Sequence, residues 1–317
     1  MRAPVGSTLA ALDCGTNSTR LLIASDDGVV IDRQMRVTRL GQGVDATREL
    51  APEAIRRTLE VLTDYRRAMD AHGVGRARLV ATSAVRDATN GGAFLRAATE
   101  ATGVPAELLS GEEEGRLSHA GAVADLPPAS GDDVVLDIGG GSTELVVERD
   151  GVLGAVSLDL GCVRLTERHL RHDPPGPAEL AAAVAHVDDE LDRAVARVPG
   201  LGALRPGSRL IGLAGTVSTL AMLVGGVDPY DRDRVHHARL SASDVARWCD
   251  LLAAEPASAR AGRAGMTPGR QDVIVGGAIV LREVMARLGF ETCLVSESDI
   301  LDGLVGSLRT QPAGTAP

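Results

Sequence analysis

A chain of 317 residues with 44% hydrophobic side chains has enough apolar material for two domains, each with its own core. Its formal net charge of −10 argues against a general nucleic-acid binder, and its longest apolar run, Val273 to Leu281, falls well short of the roughly 20 residues that span a bilayer. Lysine is absent, so all 33 cationic side chains are arginines, which excludes a Walker A loop and Schiff-base pyridoxal chemistry.

The residues after Met1-Arg2 lack the long apolar stretch of a signal peptide, so a cytoplasmic location is expected. An apolar strand ends at Asp13 and runs into the loop Asp13-Cys14-Gly15-Thr16-Asn17-Ser18-Thr19. A second strand, an Asp27-Gly28 turn, a third strand and Leu40-Gly41 follow. The Ala-rich stretch 52–71 has the spacing of an amphipathic helix. Arg78 enters a strand that leads to Thr82-Ser83-Ala84-Val85-Arg86-Asp87. Arg86 has two readings, a clamp on a phosphoryl group or a surface arginine paired with Asp87. Ser110 and Glu113 have capping-box spacing at the start of a helix. Acidic residues suit a first helical turn in any case. Glu114, about one hundred degrees further round, is marginally the better-placed water-activating base.

The stretch 127–133 reads as a link, after which the first half repeats. Leu136-Asp137-Ile138-Gly139-Gly140-Gly141-Ser142-Thr143-Glu144-Leu145 lies over Leu12 to Leu21 without a gap. Asp150-Gly151, Leu160-Gly161, a helical stretch at 177–197 and a strand entry at Arg209 repeat the same order. Gly212 to Thr216 predicts a strand, a tight turn and a helix start whose free N–H groups suit an anion. The four cysteines, Cys14, Cys162, Cys249 and Cys293, form no C-x-x-C pair and are expected as free thiols. The segment 311–317 is expected to be a disordered tail.

A duplication of this kind predicts two similar α/β domains, at 1–124 and 125–299, facing each other across a central cleft. Gly with Ser or Thr exposes backbone N–H groups and hydroxyls to phosphate oxygens, and Asp13 and Asp137 at the strand ends are positioned to hold Mg²⁺. One such loop alone is also an ordinary turn. Two in register favour a phosphate site.

The motifs D-x-G-T-N-S-x-R at Asp13 to Arg20, S-G-x-E-E-x-R-L at Ser110 to Leu117, D-I-G-G-G-S-T-E-L at Asp137 to Leu145, L-G-C-V-R-L-T-E-R at Leu160 to Arg168 and G-x-x-G-T at Gly212 to Thr216 together resemble the exopolyphosphatase and guanosine pentaphosphate phosphohydrolase family. That resemblance implies two ribonuclease H-like domains of the actin-like ATPase superfamily, the first completed by a C-terminal helix at about 300–310. It implies that Glu114 is the general base and that Asp137 and Glu144 bind Mg²⁺ or Mn²⁺, with Asp13 nearby. Asn17, Ser18, Arg20, Arg86, Gly139, Gly140, Gly141, Ser142, Thr143, Gly215 and Thr216 would hold phosphates. The implied substrate is inorganic polyphosphate or guanosine pentaphosphate, and the implied assembly a homodimer. No nucleic-acid or membrane partner is expected. Longer members carry extra helical domains, whereas this chain resembles the short two-domain type. A sugar or acetate kinase, or an assembly ATPase like actin, is the alternative from the same superfamily. Arg164, Arg168, Arg171, Arg260, Arg263 and Arg270 offer a basic track or a solvated surface.

Overall fold

The computed structural model describes residues 8–310; the expectation for 311–317 lies outside them. The chain divides into two compact units, one running to Gly121 and resuming at Ile300, the other Ala122–Asp299. The boundary falls inside the helix Gly111–Val123, and the 127–133 stretch belongs to the second unit.

The first unit contains β1 (Thr8–Cys14), β2 (Ser18–Ala24), β3 (Val30–Val37), β4 (Val74–Ala81) and β5 (Ala106–Leu108), in the order β3-β2-β1-β4-β5. The β1–β2 and β2–β3 pairs are antiparallel, while β4 joins β1 and β5 joins β4 in parallel. Alternation along β1 and β2 fills both faces. Ala10, Leu12, Leu21 and Ile23 meet a core that includes Leu62, Tyr65 and Met69 of the helix Pro52–Ala71. Leu9, Ala11 and Leu22 meet the helix Ile300–Thr310 through Ile300, Leu304 and Leu308. The C-terminal segment therefore completes the first unit.

The second unit contains β6 (Asp133–Ile138), β7 (Thr143–Arg149), β8 (Val152–Leu158), β9 (Arg209–Leu213), β10 (Arg239–Ser241) and β11 (Thr292–Val295). Its sheet order, β10-β11-β9-β6-β7-β8, repeats the first with β6, β7, β8, β9 and β11 standing for β1 to β5. Pairing senses repeat as well. The antiparallel edge strand β10 is the addition. One face carries the larger core, against the helices Pro177–Arg197, Ala214–Gly225 and Ile274–Leu288. The smaller opposite face holds Ala122, Val135, Val146, Ile211 and Leu213. The fold class is the duplicated α/β arrangement that the repeat predicts. Among the described residues, no helix is long and apolar enough to cross a membrane.

The third loop of the second unit differs from its expected form. Gly212 lies within β9 and the helix starts at Ala214, so no multi-residue turn intervenes. Ala214 alone makes the reversal, at φ 66°, a left-handed conformation that a residue with a Cβ adopts at a cost.

Helix Ile300–Thr310 crosses helix Gly111–Val123 at Gly303, where a Cβ would collide with the Leu117 carbonyl. Gly306, in the same helix, has open space around it. Gly303→Ala should therefore cost about 2 kcal/mol through overpacking, while Gly306→Ala should gain up to about 1 kcal/mol from helix propensity. Urea denaturation midpoints of the two variants check this difference in sign.

Candidate active site

In the first unit the loop after β1 is closed by the Gly15 N–H donating to the Ser18 carbonyl at 3.0 Å. Its outer side is fastened by the chain that follows β3. Thr38 and Arg39 N–H groups donate to the Asn17 carbonyl at 3.1 and 2.9 Å, and Gly41 N–H donates to the Thr16 carbonyl at 2.8 Å. The Thr16 and Ser83 hydroxyls meet at 2.8 Å, which ties this loop to the segment after β4. Asn17 is buried, and its Nδ2 is a donor with no hydrogen-bond partner. Leaving such a donor unmatched costs about 1–3 kcal/mol, so a ligand oxygen or a water fits there. Ser18 begins β2 and is half-buried.

The second unit builds the equivalent loop the same way. Cys162 and Val163 N–H groups, opening the helix Cys162–His169, donate to the Gly139 and Gly140 carbonyls at 3.0 and 2.9 Å. Buried Arg164 donates from Nε to the Gly141 carbonyl at 2.6 Å. A Cβ on Gly161 would run into the Gly140 backbone, as one on Gly41 would run into Thr16. The repeated Leu-Gly pair is thus the abutment of each loop. Ser142 and Thr143 are buried, and the Thr143 hydroxyl has no hydrogen-bond partner, unlike its counterpart Thr19, which meets Thr38 at 2.9 Å.

The carboxylates at the strand ends separate the two units. Asp13 pairs in register with Arg20, and Arg20 donates to Asp13 Oδ2 from Nε at 3.0 Å and Nη2 at 2.6 Å. Asp137 pairs in register with Glu144; they are only 7% and 1% exposed. Residues opposite each other on adjacent strands project from the same face. One copy therefore neutralises its buried aspartate with an arginine, and the other sets two carboxylates side by side. Hard oxygen donors in a pair suit Mg²⁺ or Mn²⁺, which complete their shell with water and substrate oxygens. The residues fit such an ion. Ser157 Oγ donates to Glu144 Oε1 at 2.7 Å, a contact with no signal in the sequence.

The acidic helix start resolves by burial. Ser110 Oγ accepts from the Glu113 N–H at 3.2 Å, and Glu112 and Glu113 are exposed while Glu114 is buried. Leu117, one turn further on, packs on the β1–β2 face to which Asp13 and Arg20 belong. Arg86 Nη1 donates to the Leu109 carbonyl at 3.0 Å and stands 3.5 Å from Glu114 Oε2. It therefore lies beside the candidate base.

At the third loop, Thr216 is buried in the first turn of its helix, and the buried Arg270 guanidinium presses on Gly215 so closely that a Cβ there would collide with it. Two of the other arginines are engaged within the protein. Arg260 holds the Leu252 carbonyl at 3.1 Å and Asp173 at 2.8 Å, and Arg263 holds Glu255 at 2.7 Å.

Two alternative chemistries fall away. All four cysteines are free and buried, and burial pushes the thiols up, Cys249 to about 11 and Cys293 to about 12, so they stay protonated and unreactive. Asp125, His236 and His237 form a cluster with metal-like spacing. However, the Glu297 N–H donates to His236 Nδ1 at 3.0 Å, which leaves the ring proton on Nε2, the atom 2.8 Å from Asp125. A metal would need that lone pair, so the cluster reads as a hydrogen-bonded group.

Comparison with known proteins bears on this geometry. The pattern of the Ppx/GppA phosphatase family matches residues 22–310. The chain is 43% identical over 316 residues to Exopolyphosphatase 2 of Mycobacterium tuberculosis, covering 95% of this chain and 98% of that one. A solved exopolyphosphatase-like protein superposes with a TM-score of 0.89 at 39% identity, covering 95% and 98% of the two chains. The Aquifex aeolicus Ppx/GppA phosphatase, in its type II variant, gives 0.74 at 30% identity over 95% and 99%.

Because Gly161 supports the second loop by contact, Gly161→Ala should displace Gly140 and Gly141. Phosphate release is expected to fall about tenfold or more, as a misplacement of about 1 Å costs up to 10²-fold. Gly151→Ala, at a turn with φ 78° and open space, should cost stability alone. Assays of phosphate release beside thermal melts separate the two.

Proposed function

The chain belongs to the Ppx/GppA phosphatase family, and from that premise we propose that this phosphoric anhydride hydrolase removes terminal orthophosphate from inorganic polyphosphate, with Glu114 activating the attacking water. Similarity over nearly the full length of both chains to the M. tuberculosis relative named an exopolyphosphatase supports the substrate. The mechanism rests on the burial of Glu114 beside Arg86, while its neighbours Glu112 and Glu113 face solvent.

Each unit has its own share of the chemistry on this reading. In the first, the Glu114 carboxylate takes a proton from water as the water oxygen attacks the terminal phosphorus. The bond from that phosphorus to the bridging oxygen breaks, the shortened chain keeps the oxygen and its electron pair, and orthophosphate departs. Arg86 reaches both Glu114 and a phosphoryl oxygen, orienting one against the other. Asn17 Nδ2 and the Ser18 hydroxyl supply neutral donors to phosphate oxygens, and Arg20 offers a cation already compensated by Asp13.

In the second unit the backbone N–H groups of Gly139, Gly140 and Gly141, with Ser142 and Thr143, cradle phosphate, and the helix start at Gly215 and Thr216 adds further donors. Asp137 and Glu144 hold a divalent cation, which when bound offsets the charge of the polyanion and polarises the phosphoryl oxygen. Guanosine pentaphosphate ends in the same anhydride and is the sibling substrate.

General-base catalysis is worth about 10²–10⁴-fold. Glu114→Gln should therefore lower turnover at least about a hundredfold while polyphosphate binding persists. Glu113→Gln, at an exposed position whose backbone makes the cap, should keep most of its activity; equal losses in both would contradict the assignment. Phosphate release from polyphosphates of defined length, guanosine pentaphosphate and ATP ranks the substrates. Chelation of divalent ions should stop release, and full activity in chelator would rule out the metal role of Asp137 and Glu144. ADP formation dependent on a sugar acceptor would replace the hydrolase reading by a kinase.

A further inference from the structure

Three residues line up across β6, β7 and β8. Asp137 stands opposite Glu144 and Glu144 opposite Ser157. The equivalent row across β1, β2 and β3 is Asp13, Arg20 and Met35. Along the row the second unit exchanges arginine for glutamate, and beside that residue it exchanges a thioether, which donates no hydrogen bond, for a hydroxyl.

Ser157 Oγ lies 2.7 Å from Glu144 Oε1. A carboxylate only accepts, so the hydroxyl is the donor. Glu144 is 1% exposed, and bulk water therefore does little to solvate it. A glutamate side chain has three rotatable bonds, and its carboxylate needs a neighbour to fix the angle at which it meets a ligand. In the first unit that need does not arise, because Arg20 turns to Asp13, and Met35 at the end of the row is 44% exposed.

We infer that Ser157 is a positioning residue for a divalent-cation site, holding Oε1 of Glu144 so that the carboxylate meets an ion shared with Asp137. This rests on the reading of Asp137 and Glu144 as the cation's ligands. Groups that hydrogen-bond a metal ligand typically govern affinity by 10–100-fold, since they fix its orientation. A hydroxyl that merely solvated a buried carboxylate would affect the folding equilibrium and leave cation affinity alone.

The test is Mn²⁺ binding to the full chain without substrate, followed by the loss of the free-ion electron paramagnetic resonance signal. Ser157→Ala should weaken Mn²⁺ binding about tenfold to a hundredfold, and Ser157→Thr, which keeps the hydroxyl, should stay within about threefold of the native chain. Ser157→Val has the shape of threonine without the hydroxyl and should match the alanine variant, so the result does not hinge on how well alanine packs. Glu144→Gln should lose most binding. Native affinity in the alanine and valine variants, with binding lost in Glu144→Gln, overturns the role of Ser157. Native affinity in both Glu144→Gln and Asp137→Asn overturns the cation reading and the inference together.

Discussion

Two carboxylates buried side by side on adjacent strands cannot both carry charge unless something positive meets them, because each loses its hydration and repels the other. Asp137 and Glu144 are such a pair, in register and almost fully covered. In the first unit the aligned position is Arg20, which forms an ion pair with Asp13. On the proposed reading the second unit meets its requirement with a divalent ion, which a polyphosphate chain also needs to offset its own charge. On that reading, the exchange of Arg20 for Glu144 at an aligned position turns an ion-paired corner of one sheet into a cation-binding corner of its duplicate.

In both units the chain after the third strand takes up carbonyls of the glycine-containing loop. Gly41 and the residues before it take the carbonyls of Thr16 and Asn17, and the start of the helix after Gly161 takes those of Gly139 and Gly140. The absence of lysine bears on the same economy. Arginine has five N–H donors and can serve backbone carbonyls as well as carboxylates, and Arg164, Arg260 and Arg86 each hold a backbone carbonyl. Arg164 and Arg260, both buried, act as internal fasteners.

The fold was legible in the sequence because duplication leaves two copies of every local signal. The helices Pro52–Ala71 and Pro177–Arg197 coincide with the amphipathic stretches 52–71 and 177–197, since periodicity and a proline in the first turn are local properties. The loop residues were visible for the same reason. What escaped depends on contacts far apart in the chain. Ser157 is an ordinary strand serine until the β7–β8 register sets it against Glu144. Arg270 lies 55 positions beyond Gly215, a separation read from the sequence, and only tertiary packing brings them together. Arg86 had two possible partners by sequence and turned to the Leu109 carbonyl and Glu114. The third loop misled for a different reason, since a left-handed alanine replaces the glycine turn that composition suggests.

The central claim is that charge across this sheet row decides where the cation sits. Anomalous scattering from crystals of the full chain grown with Mn²⁺ and polyphosphate tests it most directly. The account predicts a manganese peak coordinated by Asp137 and Glu144, with Asp13 still paired to Arg20. A peak bound to Asp13 with Arg20 displaced, or no peak at Asp137 and Glu144 while polyphosphate is in place, would contradict it.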